Sequence, residues 1–191
     1  MGKYNSVEYI KPKRAVFLDR DGVINKPIVR DGKPYPPEHR RDFVFFPGVV
    51  TAVDDLIRCG YVVIVVTNQP DVGNGLQKQE VVEKIHDKML TSLKVHEIKV
   101  CYHREEDNCF CRKPSPGMIL ESAQKWSIDL SESFMIGDRW RDIEAGKAAG
   151  CRTIWIRSNY TERAVKDPDL AVDSLLEASN IIISSKLDVG S

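Results

Sequence analysis

Asp19 and Asp21 stand two residues apart in AVFLDRDGVIN, immediately after the apolar run 15–18. Two carboxylates at the end of a buried strand can hold a hard divalent cation, attack an electrophile or exchange protons with a substrate. Alone, they could equally form a polar turn. A calcium-loop reading fails, because Arg30 occupies the twelfth position where such a loop needs glutamate. The pair gains meaning from residues that follow in order: Thr67 after YVVIVV, Lys113 in a polar stretch, and Asp138 after SFMIG. Together they offer carboxylates, a backbone carbonyl, a hydroxyl and an ammonium, an inventory suited to holding a phosphoryl group beside Mg²⁺.

A second cluster has softer donors. Cys101, His103, Cys109 and Cys111 fall within eleven positions, which matches a closed tetrahedral Cys₃His zinc site. Four protein ligands leave no open position, so the expected Zn²⁺ is structural. A Cys-x-Cys pair is too cramped for an easy disulfide. Arg112 and Lys113 directly follow the last ligand, and a metal-folded loop would hold that cationic pair in place. Cys59 and Cys151 lack such company and are expected to pack as small apolar residues.

The elements that must position these groups alternate in type. Short apolar, mostly β-branched runs at 15–18, 61–66, 97–102, 133–136 and 152–156 predict buried parallel strands. Helical spacing predicts helices over 48–59, 78–93, 116–126 and 140–149, and another after Val172; Ser115 is the expected cap of the third, with Pro116 at its first position. The alternation predicts an α/β fold, a doubly wound parallel sheet with helices on both faces, whose ligands bind beyond the carboxyl ends of the strands. Residues 26–42 carry four prolines and several charges and read as a loop or small flap over that edge.

The 191 residues suggest a single domain over about 14–185, with tails at 1–13 and 186–191 and no large cap domain. Basic and acidic residues balance at 28 each, which speaks against a nucleic-acid or membrane surface and for a small polar ligand. No apolar run suits a membrane span or a secretory signal, so a cytoplasmic monomer is expected.

DRDGVIN (19–25), VVTNQ (65–69), CRKPSPG (111–117) and IGDRWRD (136–142) resemble the motifs of the haloacid dehalogenase superfamily of phosphatases, over roughly residues 14 to 157. The resemblance implies that Asp19 is a nucleophile forming an aspartyl-phosphate and that Asp21 is the general acid and base. Thr67 and Lys113 would hold phosphoryl oxygens. Asp19, Asp138 and the Asp21 backbone carbonyl would bind Mg²⁺, with substrate contacts from Asn25, Asn68, Gln69, Arg112 and Arg139. Asp142 could support the metal site or lie on a solvated helix face; His39 could reach a substrate hydroxyl but reads better as a solvated loop histidine, and His86 and His96 receive no role.

The zinc loop, about 101–111, narrows the resemblance to the subgroup of heptose 1,7-bisphosphate 7-phosphatases and histidinol-phosphate phosphatases. It implies a phosphorylated sugar as substrate, with the 7-phosphate of D-glycero-D-manno-heptose 1,7-bisphosphate preferred because a second phosphate would occupy Arg112. Histidinol phosphate or another small phosphomonoester is the rival within enzymes, and a non-catalytic zinc knuckle binding phosphate-bearing partners is the rival outside them. Pro70 and Arg139 depart from the subgroup pattern, the 26–42 segment is longer than expected, and the zinc loop is shorter.

Overall fold

The apolar runs of the sequence form a parallel sheet, and the amphipathic stretches between them carry the chain back across its faces. The computed structural model describes residues 12–187; the expected tails lie outside this range over residues 1–11 and 188–191. The elements run β1 (Arg14–Leu18), β2 (Ile28–Arg30), β3 (Lys33–Tyr35), α1 (Val49–Arg58), β4 (Tyr61–Asn68), α2 (Pro70–Gly73), α3 (Gln79–Leu90) and β5 (Glu97–Cys101). They continue with α4 (Gly117–Trp126), β6 (Phe134–Gly137), α5 (Trp140–Ala149), β7 (Arg152–Ile156), β8 (Leu170–Val172) and α6 (Leu175–Leu187).

The main sheet has the order β5-β4-β1-β6-β7-β8, parallel throughout. The chain builds outward from β1 through β4 to β5, then crosses to β6 on the other side of β1. The order therefore reverses beside β1, and a crevice opens at its carboxyl end, where open α/β sheets place their ligands.

Side-chain alternation along the central strands feeds two cores. Val16, Leu18, Val63 and Val65 face Leu56 of α1, Ile85 and Met89 of α3, and Ile182 of α6. Ala15, Phe17, Ile64 and Val66 face Met118 and Ile119 of α4 and Ala145 of α5. Both faces of β1 are thus fixed, so the residue following Leu18 starts from a rigid post. Among the described residues no helix is long and apolar enough to cross a membrane.

Beyond the short, unforeseen α2, three features differ from the sequence expectation. The 26–42 segment is an antiparallel hairpin of β2 and β3, turned by Asp31 and Gly32 at φ 50° and 72° and followed by a 3₁₀ turn at Arg40–Asp42. Positive φ at both central residues is the type I′ requirement that Asp-Gly satisfies. Strand β8 adds an unforeseen edge of three residues, too short to show an apolar period. Helix α4 begins one residue later than expected, with Pro116 itself at the cap position.

Candidate active site

Asp19 leaves the sheet directly after β1, with its backbone N–H donating to Ile136 O of β6 at 3.0 Å. Thr67 lies near the end of β4, and Asp138 directly follows β6. The three central strands therefore deliver the predicted groups to one edge. Gly22 allows the turn after Asp21 to approach Asp138: its φ is 97°, and a Cβ there would stand 1.7 Å from Asp138 Oδ2. Only glycine fits such a backbone at such a distance.

Lys113 reaches this edge from the segment between β5 and α4 and is almost wholly buried. Its Nζ donates to Asp19 Oδ1 at 2.6 Å, Asp142 Oδ1 at 2.6 Å and Val66 O at 2.7 Å. Burial works against its charge, but Asp142 and Asp19 raise its pKa overall. Asp142 is buried as well and does not lie on a solvated helix face; its Oδ2 accepts from the Arg139 N–H at 3.0 Å at the start of α5. Asn68 fixes the Lys113 backbone from both sides, donating to its carbonyl at 2.9 Å and accepting from its N–H at 3.1 Å.

Asp138 is the unsatisfied member of the cluster. Both of its carboxylate oxygens are buried without a well-formed hydrogen bond, although the Tyr160 hydroxyl stands close enough to influence it. Burial, then Asp19 and Asp142, push its pKa well above the ordinary carboxylate range. Burial likewise pushes Asp19 up to about 6, against the pull of Lys113. Ligand oxygens of Asp19, Asp138 and Asp142 lie within 4.8 Å of one another. A buried carboxylate with no well-formed hydrogen bond, beside a second acid, is a costly arrangement that a divalent cation with oxygen ligands would relieve. Asp142 already has both oxygens bonded, so Asp19 and Asp138 supply the side-chain part of that fit.

Asp21 has a different environment. Burial would raise its pKa, but Arg20 and the hydrogen bonds around it carry it below the usual range. Arg20 donates from Nη2 to Oδ2 at 2.6 Å and from Nε to Oδ1 at 3.2 Å. Asn25 donates to Oδ1 at 2.9 Å and Gln69 to Oδ2 at 2.8 Å, while the same Gln69 nitrogen lies 2.9 Å from Thr67 Oγ1. Asn25 and Gln69 are both buried and bonded to the acid.

A cavity of about 170 Å³ opens onto Asp19, Asp21, Thr67 and Lys113, walled by Tyr35 and Pro36 of the hairpin side and by Asp71 of α2. Arg139 also borders it, ion-paired to Glu162. The hairpin tip is held by the Thr161 N–H, which donates to Gly32 O at 2.8 Å. Asp-Gly in VRDGKP was a visible hairpin signal. Asp142, Arg20 and His86 were harder to find, since their partners lie far away in the chain.

The four zinc-type ligands converge at the end of β5. Cys101 Sγ lies 3.6 Å from Cys109 Sγ and 3.3 Å from Cys111 Sγ, and His103 Nδ1 lies 3.3 Å from Cys111 Sγ. These separations are too long for disulfides and close to the edge of roughly 3.7 Å in a tetrahedron with metal–sulfur bonds of about 2.3 Å. The donors therefore fit a closed zinc centre. Arg112 follows with its Nε buried and unpartnered, in a shallow recess shared with Glu105 and Arg141.

Comparison with known proteins agrees with this geometry. Residues 110–178 match the HAD-hydrolase-like family model. The D-glycero-beta-D-manno-heptose-1,7-bisphosphate 7-phosphatase of Photorhabdus laumondii is 33% identical over 187 residues, covering 92% of each chain. The chain belongs to the heptose-1,7-bisphosphate 7-phosphatase family of HAD-like hydrolases. The family member from Rhodopseudomonas palustris is 39% identical over 152 residues, 73% of this chain and 81% of its own. The crystal structure of the family member from B. bronchiseptica, complexed with magnesium and phosphate, superposes with a TM-score of 0.78 at 27% identity, covering 90% of this chain and 99% of that one.

Proposed function

We propose that this protein is a Mg²⁺-dependent phosphomonoesterase that removes the 7-phosphate of D-glycero-D-manno-heptose 1,7-bisphosphate through an aspartyl-phosphate on Asp19. The observation that carries the reading is the buried carboxylate of Asp138, without a well-formed hydrogen bond, in one cluster with Asp19, which is itself paired to Lys113. When bound by Asp19, Asp138 and the Asp21 carbonyl, Mg²⁺ supplies positive charge to the phosphoryl oxygens and favours the ionised form of Asp19.

The residues divide the work. Asp19 attacks phosphorus, a bond forms from its carboxylate oxygen, and the bond to the sugar oxygen breaks. Lys113 and Thr67 hold the phosphoryl oxygens, while Asp142 keeps the Lys113 ammonium charged and directed. Asp21 protonates the departing sugar oxygen, then takes a proton from the water that releases phosphate and restores Asp19. At rest Asp21 is held as the carboxylate, the form needed for the second half. A phosphate monoester titrating near pH 6 arrives partly as the monoanion; its proton passes to the Asp21 carboxylate, which then delivers it to the departing sugar oxygen in the first half.

The zinc ligands would fix the loop that ends in Arg112, and that guanidinium is assigned to the substrate's second phosphate. Asn25, Asn68 and Gln69 support this reading through Asp21 and Lys113, while Arg139 borders the cavity. The reading takes residues 14–185 as one phosphatase domain, acting as a cytoplasmic monomer on a small phosphorylated sugar, without nucleic acid or membrane.

Replacing Asp19 with Asn keeps the shape and removes the nucleophile. Phosphate release under Mg²⁺ should fall by at least about 1,000-fold; a near-normal rate would end the covalent mechanism. A substrate panel of both heptose bisphosphate anomers and histidinol phosphate tests specificity. Higher kcat/KM on histidinol phosphate than on either anomer would overturn the sugar assignment.

A further inference from the structure

Arg20 is the largest fully buried side chain among the described residues. It lies between the two acids of the motif but takes no part in phosphoryl transfer as derived above. Its guanidinium uses three nitrogens in two directions: Nε and Nη2 grip both oxygens of Asp21, and Nη1 lies 2.9 Å from His86 Nε2. Arginine can only donate, so His86 Nε2 is the acceptor and the imidazole is neutral.

We propose that Arg20 and His86 are positioning residues that hold the Asp21 carboxylate in line for proton transfer with the leaving-group oxygen. The inference rests on the reading of Asp21 as general acid and base. His86 belongs to α3, where Val82, Ile85 and Met89 are buried in the core. Its ring is therefore anchored to the helical layer and not to the mobile chemistry of the cleft. A planar guanidinium held at one end by this ring can present its other two nitrogens to Asp21 in only one plane. Asn25 and Gln69 then bond the same two oxygens from other sides. Without the His86 acceptor, Arg20 Nη1 would be a buried donor with no partner, and the guanidinium would turn to find another.

The discriminating measurement is leaving-group dependence. A sugar phosphate needs its departing oxygen protonated, whereas p-nitrophenyl phosphate does not. The ratio kcat/KM reports steps through departure of the leaving group, so the later hydrolysis step does not enter. His86→Leu should lower kcat/KM for the sugar bisphosphate at least about tenfold more than for p-nitrophenyl phosphate. His86→Gln, which restores an acceptor, should recover the sugar phosphate rate to within about threefold of the unmodified protein. If His86→Leu does not fold, Arg20→Lys carries the same test, since an ammonium cannot grip Asp21 and His86 together. Equal losses on both substrates, no loss, or failure of Gln to rescue would overturn the proposal. Asp21→Asn serves as the reference. If it shows no leaving-group selectivity the acid-base reading itself falls, and if it alone shows selectivity only the positioning role does.

Discussion

His86 is well suited to a quantitative test because its state is set by burial and by the adjacent Arg20–Asp21 pair. Burial first, and then the adjacent Arg20 charge, push its pKa from 6.5 down to about 4. In the unfolded chain the same imidazole takes a proton at about pH 6.5. Between these values the unfolded state binds more protons than the folded one, so stability falls as pH falls. The contribution is fully present above pH 6.5 and is lost progressively down to about pH 4. Linkage from these two values gives a loss of about 2 kcal/mol at pH 5 and about 3 kcal/mol at pH 4. His86→Gln does not titrate and keeps an acceptor for Arg20. The assay is urea unfolding of both proteins at several pH values, with the difference in free energy plotted against pH. Protonation of carboxylates and acid release of zinc act on both proteins and cancel in that difference. The unmodified protein should lose about 2 kcal/mol relative to the variant between pH 7.5 and 5. Parallel curves would refute the buried neutral imidazole.

The site makes two further stability predictions. Asp138→Asn removes a charge that burial and its acidic neighbours disfavour, so the metal-free protein should gain about 1–3 kcal/mol, while the rise in Tm on adding Mg²⁺ should disappear. Lower metal-free stability together with a retained Mg²⁺ shift would contradict the assignment. Cys109→Ser should lose about one equivalent of zinc by elemental analysis and at least about 3 kcal/mol, a fall of roughly 6–12 °C in Tm. A normal zinc content or an unchanged Tm would remove the structural centre.

The strands and most helices were legible because their signals are local. AVFL, YVVIVV and RTIWI carry unbroken apolar runs that suit a sheet covered on both faces, and Gly150 ends α5 at φ 88° as a glycine after a helix should. The hairpin was legible in Asp31-Gly32 but was obscured by the prolines around it. Strand β8 has three residues and owes its place to β7, so no period could reveal it.

The chemistry available is written into residue order: which donors stand at strand ends, and which four ligands crowd the stretch 101–111. Those are properties of residue type and near spacing. Which charges pair and which remain unpaired depends on the folded chain. Lys113 reaches Asp19 across 94 positions and Asp142 across 29, and Arg20 reaches His86 across 66. Whether a carboxylate is ionised depends on solvent exclusion and on neighbours a few ångströms away. Folding sets both by bringing distant segments together, which is why Asp142 suits either a metal-site support or a solvated helix face by sequence and is the buried partner of Lys113 in the fold.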